Sequence, residues 1–330
     1  MQRTMYILKN GVRTKNFKIW HKESVKGLDY HLLTFVTVAE KKNFTRAAEE
    51  LHITQSAVTL SIKALEKKYE VKFFDRTNKY VRLTRAGEIL YYHAKRILKE
   101  YEQAEGLIDD ITKVVSGPLL IGSSYTFGEY LLPRYISDFM KAHQLIEPKV
   151  SINNSSRIIK RVLDGGLDIG IIDGEVKSHP HLHITPFDQD ELVIIVSSDH
   201  PLASFRTIDL ESLYGETWIL REEGSGTREV IDKLFDKHAF SPLILRSFGS
   251  TQIIKESVEA GIGISIVSKY SILKELYMKT IHSIRLKNEQ INRNFSYVIP
   301  KTDIQTRSVE LFTQYLKSKN ALTLEASSYK

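Results

Sequence analysis

The stretch that most restricts the fold is Phe44 to Glu66, which reads FTRAAEELHITQSAVTLSIKALE. Ala47, Ala48 and Leu51 fall at helical spacing, and after a break at HIT so do Val58, Ile62, Leu65 and Tyr69, at intervals of 4, 3 and 4. Asn43 or Thr45 suits the cap of the first of these helices and Thr54 the cap of the second, because a short oxygen-bearing side chain satisfies free N–H groups at a helix start. Leu28, Leu32, Phe35, Val36 and Ala39 predict an earlier helix that ends near EKKN. The small residues Ala47 and Ala48 let a neighbouring helix approach closely. Two helices joined by so short a break form a helix-turn-helix, and the polar face of the second offers Gln55, Ser56, Thr59 and Lys63. Gln pairs with adenine through both amide atoms, while Ser and Thr adapt to several base edges or bond phosphates. Thr54 also sits at the positive end of the helix dipole, which attracts phosphate. With Thr45, these residues are the candidate contacts to double-stranded DNA.

The next stretch strengthens this reading. VKFFDRTNKYVRL predicts two short strands around RTNK, a wing whose Arg76, Lys79 and Arg82 reach phosphates or a minor groove. A long helix is predicted from Thr84 to about Val115. Its apolar positions Leu90, Ala94, Ile97, Tyr101, Ala104, Ile108, Ile111 and Val115 alternate by 4 and 3, a heptad seam suited to self-association. A dimer doubles the reading heads and predicts a two-fold related DNA site.

The run from FTRAAEELHITQSAVTLSIKALEKKYEVKFFDR to RLTRAGEILY resembles the N-terminal signature of the LysR-type transcriptional regulators, and the rest of the chain resembles their effector domain. The resemblance covers residues 28 to about 318. It implies a winged helix-turn-helix, a linker helix paired antiparallel with its mate, and a two-lobed sensor like a periplasmic binding protein, usually in a tetramer of two dimers; RNA polymerase is an implied partner. By position, the implied recognition contacts are Gln55, Ser56, Thr59 and Leu60, with Lys79 in the wing. Ser56 stands where many members carry proline, and Leu60 where many carry a polar or basic residue; Leu60 suits a thymine methyl. GEYLLP and REEGSGTRE resemble the branch that regulates sulfur assimilation and carbon fixation, which implies a sulfur-linked role and an anionic effector.

Beyond SGP at 116–118 the sequence alternates strand and helix, the pattern of an α/β fold. LLIGSSYT, KVSINN and LDIGIID read as strands separated by the helices GEYLLPRYISDFMKAH and SSRIIKRVLDGG. After Phe187 the pattern starts again, with ELVIIVSS, TWILRE, LILRSF and IGISIVSK as strands and GSGTREVIDKLFDKHA and GSTQIIKESVEAG as helices. This echo predicts two similar lobes, to the first of which RNFSYVIP and a final helix return. Ligands in such folds sit beyond the carboxyl ends of the strands, against helix N-termini. Ser123, Ser124 and Thr126, then Asn153, then Ser225, Gly226 and Thr227, then Ser250 and Thr251 meet that description and are the candidate contacts to a small anionic or hydroxylated metabolite. The expected organisation is a basic extension over 1–27, a DNA-binding domain over 28–87, a linker helix over 88–116, an effector domain over 117–318 and a tail over 319–330.

Charge and composition agree with this division. Residues 28–87 carry 11 Lys and Arg against 7 Asp and Glu, whereas residues 117–330 carry 25 against 26, so a polyanion is expected to meet the N-terminal third. There is no cysteine, which removes disulfides and thiolate chemistry and fits a reducing cytoplasm. No apolar run reaches the ~18 residues that span a bilayer, and residues 1–27 lack the apolar core of a secretory signal, so neither membrane nor export is expected. Catalysis finds no constellation. GSGTR lacks the lysine of a phosphate-binding P-loop, GIGISIV is no dinucleotide fingerprint, and Asp164, Asp168 and Asp173 read as turn and strand-end residues. His179, His181 and His183 have no carboxylates at ligand spacing, so no metal or cofactor is expected. The rival readings, a transporter's solute receptor or an enzyme on the same two lobes, need an export signal or a catalytic pair respectively.

Overall fold

The computed structural model of the chain describes residues 28–76, 80–112, 115–174 and 178–319. The basic extension, Lys79 of the wing and most of the tail fall outside them. The chain divides into two compact units, the boundary falling between Ala104 and Glu105.

In the first unit, α1 (Leu28–Lys41), α2 (Phe44–Leu51) and α3 (Gln55–Tyr69) precede a two-stranded antiparallel wing, β1 (Phe74–Arg76) and β2 (Val81–Leu83), and the long α4 (Arg85–Thr112), whose last turns lie beyond the boundary. Asn43 caps α2 by accepting from Thr45 and Arg46 N–H, and Thr54 caps α3 by accepting from Ala57 N–H. Between them His52 takes the left-handed conformation at φ 54°, and its N–H closes the end of α2; this turn is the HIT break. Phe35, Val38, Ala47, Val58, Ile62 and Ala94 are fully buried in one core. Tyr69 is not part of its interior, contrary to the predicted apolar row: it ends α3 half exposed, edge-on to Phe73. The buried Glu66 instead binds α3 to the wing, accepting from Phe73 N–H and Lys72 Nζ at 3.1 Å each. Gly87 lets α4 lie against the wing, since a Cβ there would fall 2.2 Å from the Phe73 carbonyl oxygen.

The predicted seam of α4 has two parts. Leu90 and Ala94 pack on the unit's own core, while Ile97, Tyr101 and Ile108 on the same face are exposed. The helix is described as far as Thr112, and Val115 packs against the core of the second unit.

The second unit begins with β3 (Gly117–Ser123), a π-helical turn Phe127–Leu131, α5 (Leu132–Ala142), β4 (Ile146–Ile152), α6 (Ser155–Leu163) and β5 (Ile169–Asp173). Pro133 sits in the first turn of α5, where its missing N–H costs nothing. Next come β6 (Leu182–Ser197), β7 (Thr207–Ile208), β8 (Thr217–Arg221), α7 (Gly226–Lys237), β9 (Ile244–Phe248), α8 (Thr251–Glu259), β10 (Ser265–Ser268), α9 (Leu273–Met278), β11 (Ile281–Leu286), β12 (Ile291–Pro300) and α10 (Arg307–Ser318). The predicted echo is topological. In lobe one β3 lies between parallel β4 and β5, with β12 antiparallel to β5. In lobe two β8 pairs parallel with β9 and forms an isolated bridge from Trp218 to Ile264, just before β10, while β6 runs antiparallel to β10. The expected new start after Phe187 is corrected: β6 is one 16-residue strand that begins at Leu182 and pairs with β12 along the latter's whole length. These two strands join the lobes. Each lobe has its own apolar core, one around Phe127, Tyr135, Phe139 and Phe312 and one around Trp218, Ile231 and Ile264.

Candidate functional site

The N-terminal half of α3 presents the predicted row. Gln55, Ser56, Leu60 and Lys63 are exposed and Thr59 half-buried, while Val58, Ile62 and Leu65 beneath them hold the helix in its core. Local hydrogen bonds fix the row: Thr59 Oγ1 donates to the Gln55 carbonyl at 3.0 Å, Gln55 Nε2 donates to Thr59 Oγ1 at 3.3 Å, and the Thr54 and Ser56 hydroxyls meet at 2.9 Å. Leu60, 67% exposed, is an apolar knob among polar neighbours, a fit to a methyl group and a poor fit to water. Thr45 is exposed at the start of α2. Arg76 ends β1 opposite Val81, and Arg82 on β2 stacks over Tyr80 at 4.5 Å.

In the second unit the strand ends of both lobes converge. Lobe one supplies Ser123 to Thr126 after β3, Asn153 to Ser156 after β4, and Asp173 with Gly174 after β5; lobe two supplies Arg221 to Thr227 after β8 and Ser250 with Thr251 after β9. The lobes touch. Ser156 N–H donates to the Gly224 carbonyl at 3.2 Å, and Asn154 Nδ2 donates to Glu222 Oε1 at 3.2 Å. Gly226 and Asp173 meet so closely that a Cβ on Gly226 would lie 1.8 Å from the Asp173 carbonyl oxygen.

The predicted polar residues have distinct places in this cleft. Ser123, Ser124, Thr126, Ser225, Thr227 and Thr251 are buried. The Thr126 and Thr227 hydroxyls, one from each lobe, both accept from Arg293, at 3.0 and 2.7 Å, and each keeps a proton to donate. Thr251 Oγ1 accepts from Arg221 at 3.3 Å. Ser250 caps α8, accepting from Ile253 N–H. Asn153 contributes its backbone, donating to the Ser123 carbonyl, while its neighbour Asn154 makes the side-chain contact across the cleft. Ser225 begins α7 without a side-chain capping bond. The Ser124 hydroxyl is fully buried without a hydrogen-bond partner among the described residues.

Two arginines that the residue pattern did not single out organise the cleft. Arg293, on β12, is fully buried: Nε donates to Asp190 Oδ2 at 2.7 Å, its cross-strand partner on β6, and Nη1 donates to Asp173 Oδ2 at 2.6 Å. Burial and the neighbouring Asp173 charge push the Asp190 carboxyl up, while on Asp173 burial is outweighed by Arg293 and the Ser155 hydroxyl, which hold it below the usual range. Buried charges are stable only when paired in this way. Arg221, at the end of β8, is also buried, and its guanidinium lies over the Tyr125 ring of lobe one, 4.5 Å from the centroid. Its signal in the sequence is a basic residue ending the apolar strand TWILR; for Arg293 it is a lone arginine entering RNFSYVIP. Both signals are weak, because strand ends carry solvated arginines as a rule.

His179 Nδ1 accepts from His181 N–H in its own turn, and the described residues contain no group of three His, Asp or Glu placed to hold a metal. No helix among them is long and apolar enough to cross a membrane.

Comparison with known proteins places both parts of the chain in one family. Residues 30–88 match the bacterial regulatory helix-turn-helix protein, lysR family, and residues 112–321 match the LysR substrate binding domain. The chain belongs to the LysR family of transcriptional regulators, with a DNA-binding and an effector-binding part. It is 37% identical to the HTH-type transcriptional regulator CysL of Bacillus subtilis (strain 168) over 87% of this chain and 96% of that one. It is 33% identical to a probable RuBisCO transcriptional regulator of Cyanophora paradoxa over 84% and 87% respectively. In fold it is similar to full-length CbnR complexed with its target DNA, with a TM-score of 0.68 at 22% identity, over 88% of this chain and 99% of that one.

Proposed function

We propose that this regulator reads a two-fold related DNA site as a dimer or tetramer joined through α4, and that a small anionic metabolite bound between its lobes changes how it does so. The observation that carries the anionic effector is Arg221, a cation buried at the meeting of the lobes on the face of Tyr125. The hydroxyl of Thr251 accepts from it at 3.3 Å. The exposed apolar positions Ile97, Tyr101 and Ile108 support pairing through α4. Gln55, Ser56, Thr59, Leu60 and Lys63 read bases and phosphates, Thr45, Thr54, Arg76 and Lys79 contact the backbone, and RNA polymerase is the downstream partner. The cleft binds and releases its ligand without catalysis, and the protein works in the cytoplasm. Likeness to CysL supports a role in sulfur metabolism.

Footprinting of the full chain on its own upstream region tests this. The expected result is a protected two-fold site whose pattern shifts with the effector. Gln55→Ala should weaken that site by about 1–3 kcal/mol, the worth of one bidentate base contact. Absence of protection at every salt concentration overturns the proposal.

A further inference from the structure

The Arg221 fork is already engaged by a carboxylate of the same chain. Nε donates to Glu222 Oε2 at 2.8 Å and Nη2 donates to Glu222 Oε1 at 3.0 Å, the two-point arrangement in which arginine binds an oxyanion. The two partners are unequally held. The Arg221 side chain is 3% exposed, fixed by Tyr125 beneath it and by Thr251 on Nη1, whereas that of Glu222 is 28% exposed. A guanidinium has five N–H donors, and Glu222 with Thr251 takes three. Apart from the fork, Glu222 is held by Asn154 Nδ2 at 3.2 Å, whereas Arg221 has supports that do not involve Glu222.

We propose that Glu222 is an internal stand-in for an oxyanion ligand: a carboxylate, sulfate or phosphate group with two adjacent oxygens enters by taking its place on Arg221. The exchange also frees Glu222 from Asn154 of lobe one, so ligand entry removes one of the contacts between the lobes. In the same segment as Tyr125, the buried Ser124 hydroxyl has no hydrogen-bond partner among the described residues, and a buried hydroxyl without a partner costs free energy that a bound oxygen would recover. A second carboxylate, Glu129, lies within the field of Arg221 and Lys255, and burial raises it above the usual carboxylate range. Glu222 thereby sets a threshold for specificity, because a ligand that offers Arg221 only one oxygen cannot replace both of its bonds.

The inference rests on reading the cleft as the effector site, and one set of measurements separates the two. Sodium sulfate, sodium phosphate and sodium acetate are titrated calorimetrically into the full chain at constant ionic strength balanced with chloride, for wild type, Glu222→Gln, Glu222→Ala and Arg221→Lys. If Glu222 holds the fork nine-tenths of the time or more, its removal raises the apparent affinity for the preferred anion about tenfold or more. Arg221→Lys, which cannot offer two parallel donors, loses that binding. Glu222→Gln keeps the shape and Glu222→Ala removes the group, so a folding defect in one does not decide the matter. Affinity equal to or below wild type in the Glu222 variants overturns the proposal, as does undiminished binding in Arg221→Lys. Tighter anion binding without any change in the DNA footprint leaves the exchange standing and removes the effector reading.

Discussion

At the scale of single residues, the cleft depends on places where nothing larger fits. Gly226 begins α7 against the end of β5, and the missing side chain is what lets the two lobes meet there. Gly226→Ala should therefore lower the stability of the chain by about 1–3 kcal/mol, the usual cost of forcing extra volume into a packed contact. Gly249→Ala is the matched control, since a Cβ there meets nothing within 4 Å. Thermal unfolding of both variants checks this, and equal melting temperatures would contradict the close approach. Arg293 is the polar counterpart. It bridges Asp173, Asp190, Thr126 and Thr227, so losing it leaves two carboxylates without their cation and two hydroxyls without their donor.

At the scale of elements, α3 and α4 have different work. In α3 one face supplies Val58, Ile62 and Leu65 to the core and leaves the other exposed, so the exposed row is held from below. In α4 the same face changes role along its length. Its start packs on the unit's own core through Leu90 and Ala94, and its later turns expose Ile97, Tyr101 and Ile108, at 45%, 52% and 62%. An apolar row of that kind is covered when a second copy pairs with it. Ile108→Asp should accordingly shift the chain from dimer towards monomer at micromolar concentration, measured by sedimentation velocity. An unchanged mass would place the dimer contact elsewhere. Because Leu90 and Ala94 are untouched by the change, helix content by circular dichroism should hold.

At the scale of the whole molecule, effector and DNA act on one protein, and their couplings must match. If the effector changes operator affinity by some factor, operator DNA changes effector affinity by the same factor, about 5–150-fold for couplings of ordinary size. Calorimetric titration of the effector with and without an operator duplex measures this directly. Coupling of the two ligands in one direction only would rule out a simple linked equilibrium. The two strands that join the lobes, β6 and β12, carry Asp190 and Arg293, so any change in lobe closure passes beside that buried pair.

Much of this molecule is written locally in its sequence. The caps Asn43 and Thr54, the intervals of 4 and 3 along α3 and α4, and the repeated alternation of strand and helix all follow from side-chain spacing within a few residues. The polar strand ends of the cleft were legible for the same reason, as hydroxyls placed before helix starts. What local spacing cannot convey is which distant group a charge will meet. Arg293 finds Asp173 and Thr126 across 120 and 167 residues, and Arg221 finds Tyr125 of the other lobe. Those meetings exist because β12 inserts between β5 and β6 and the lobes close on Gly226. Local spacing is enough to specify a DNA-binding head and a two-lobed effector domain; that two buried arginines organise the cleft between the lobes follows from the packing, since only packing takes a charge out of water and obliges it to choose a partner.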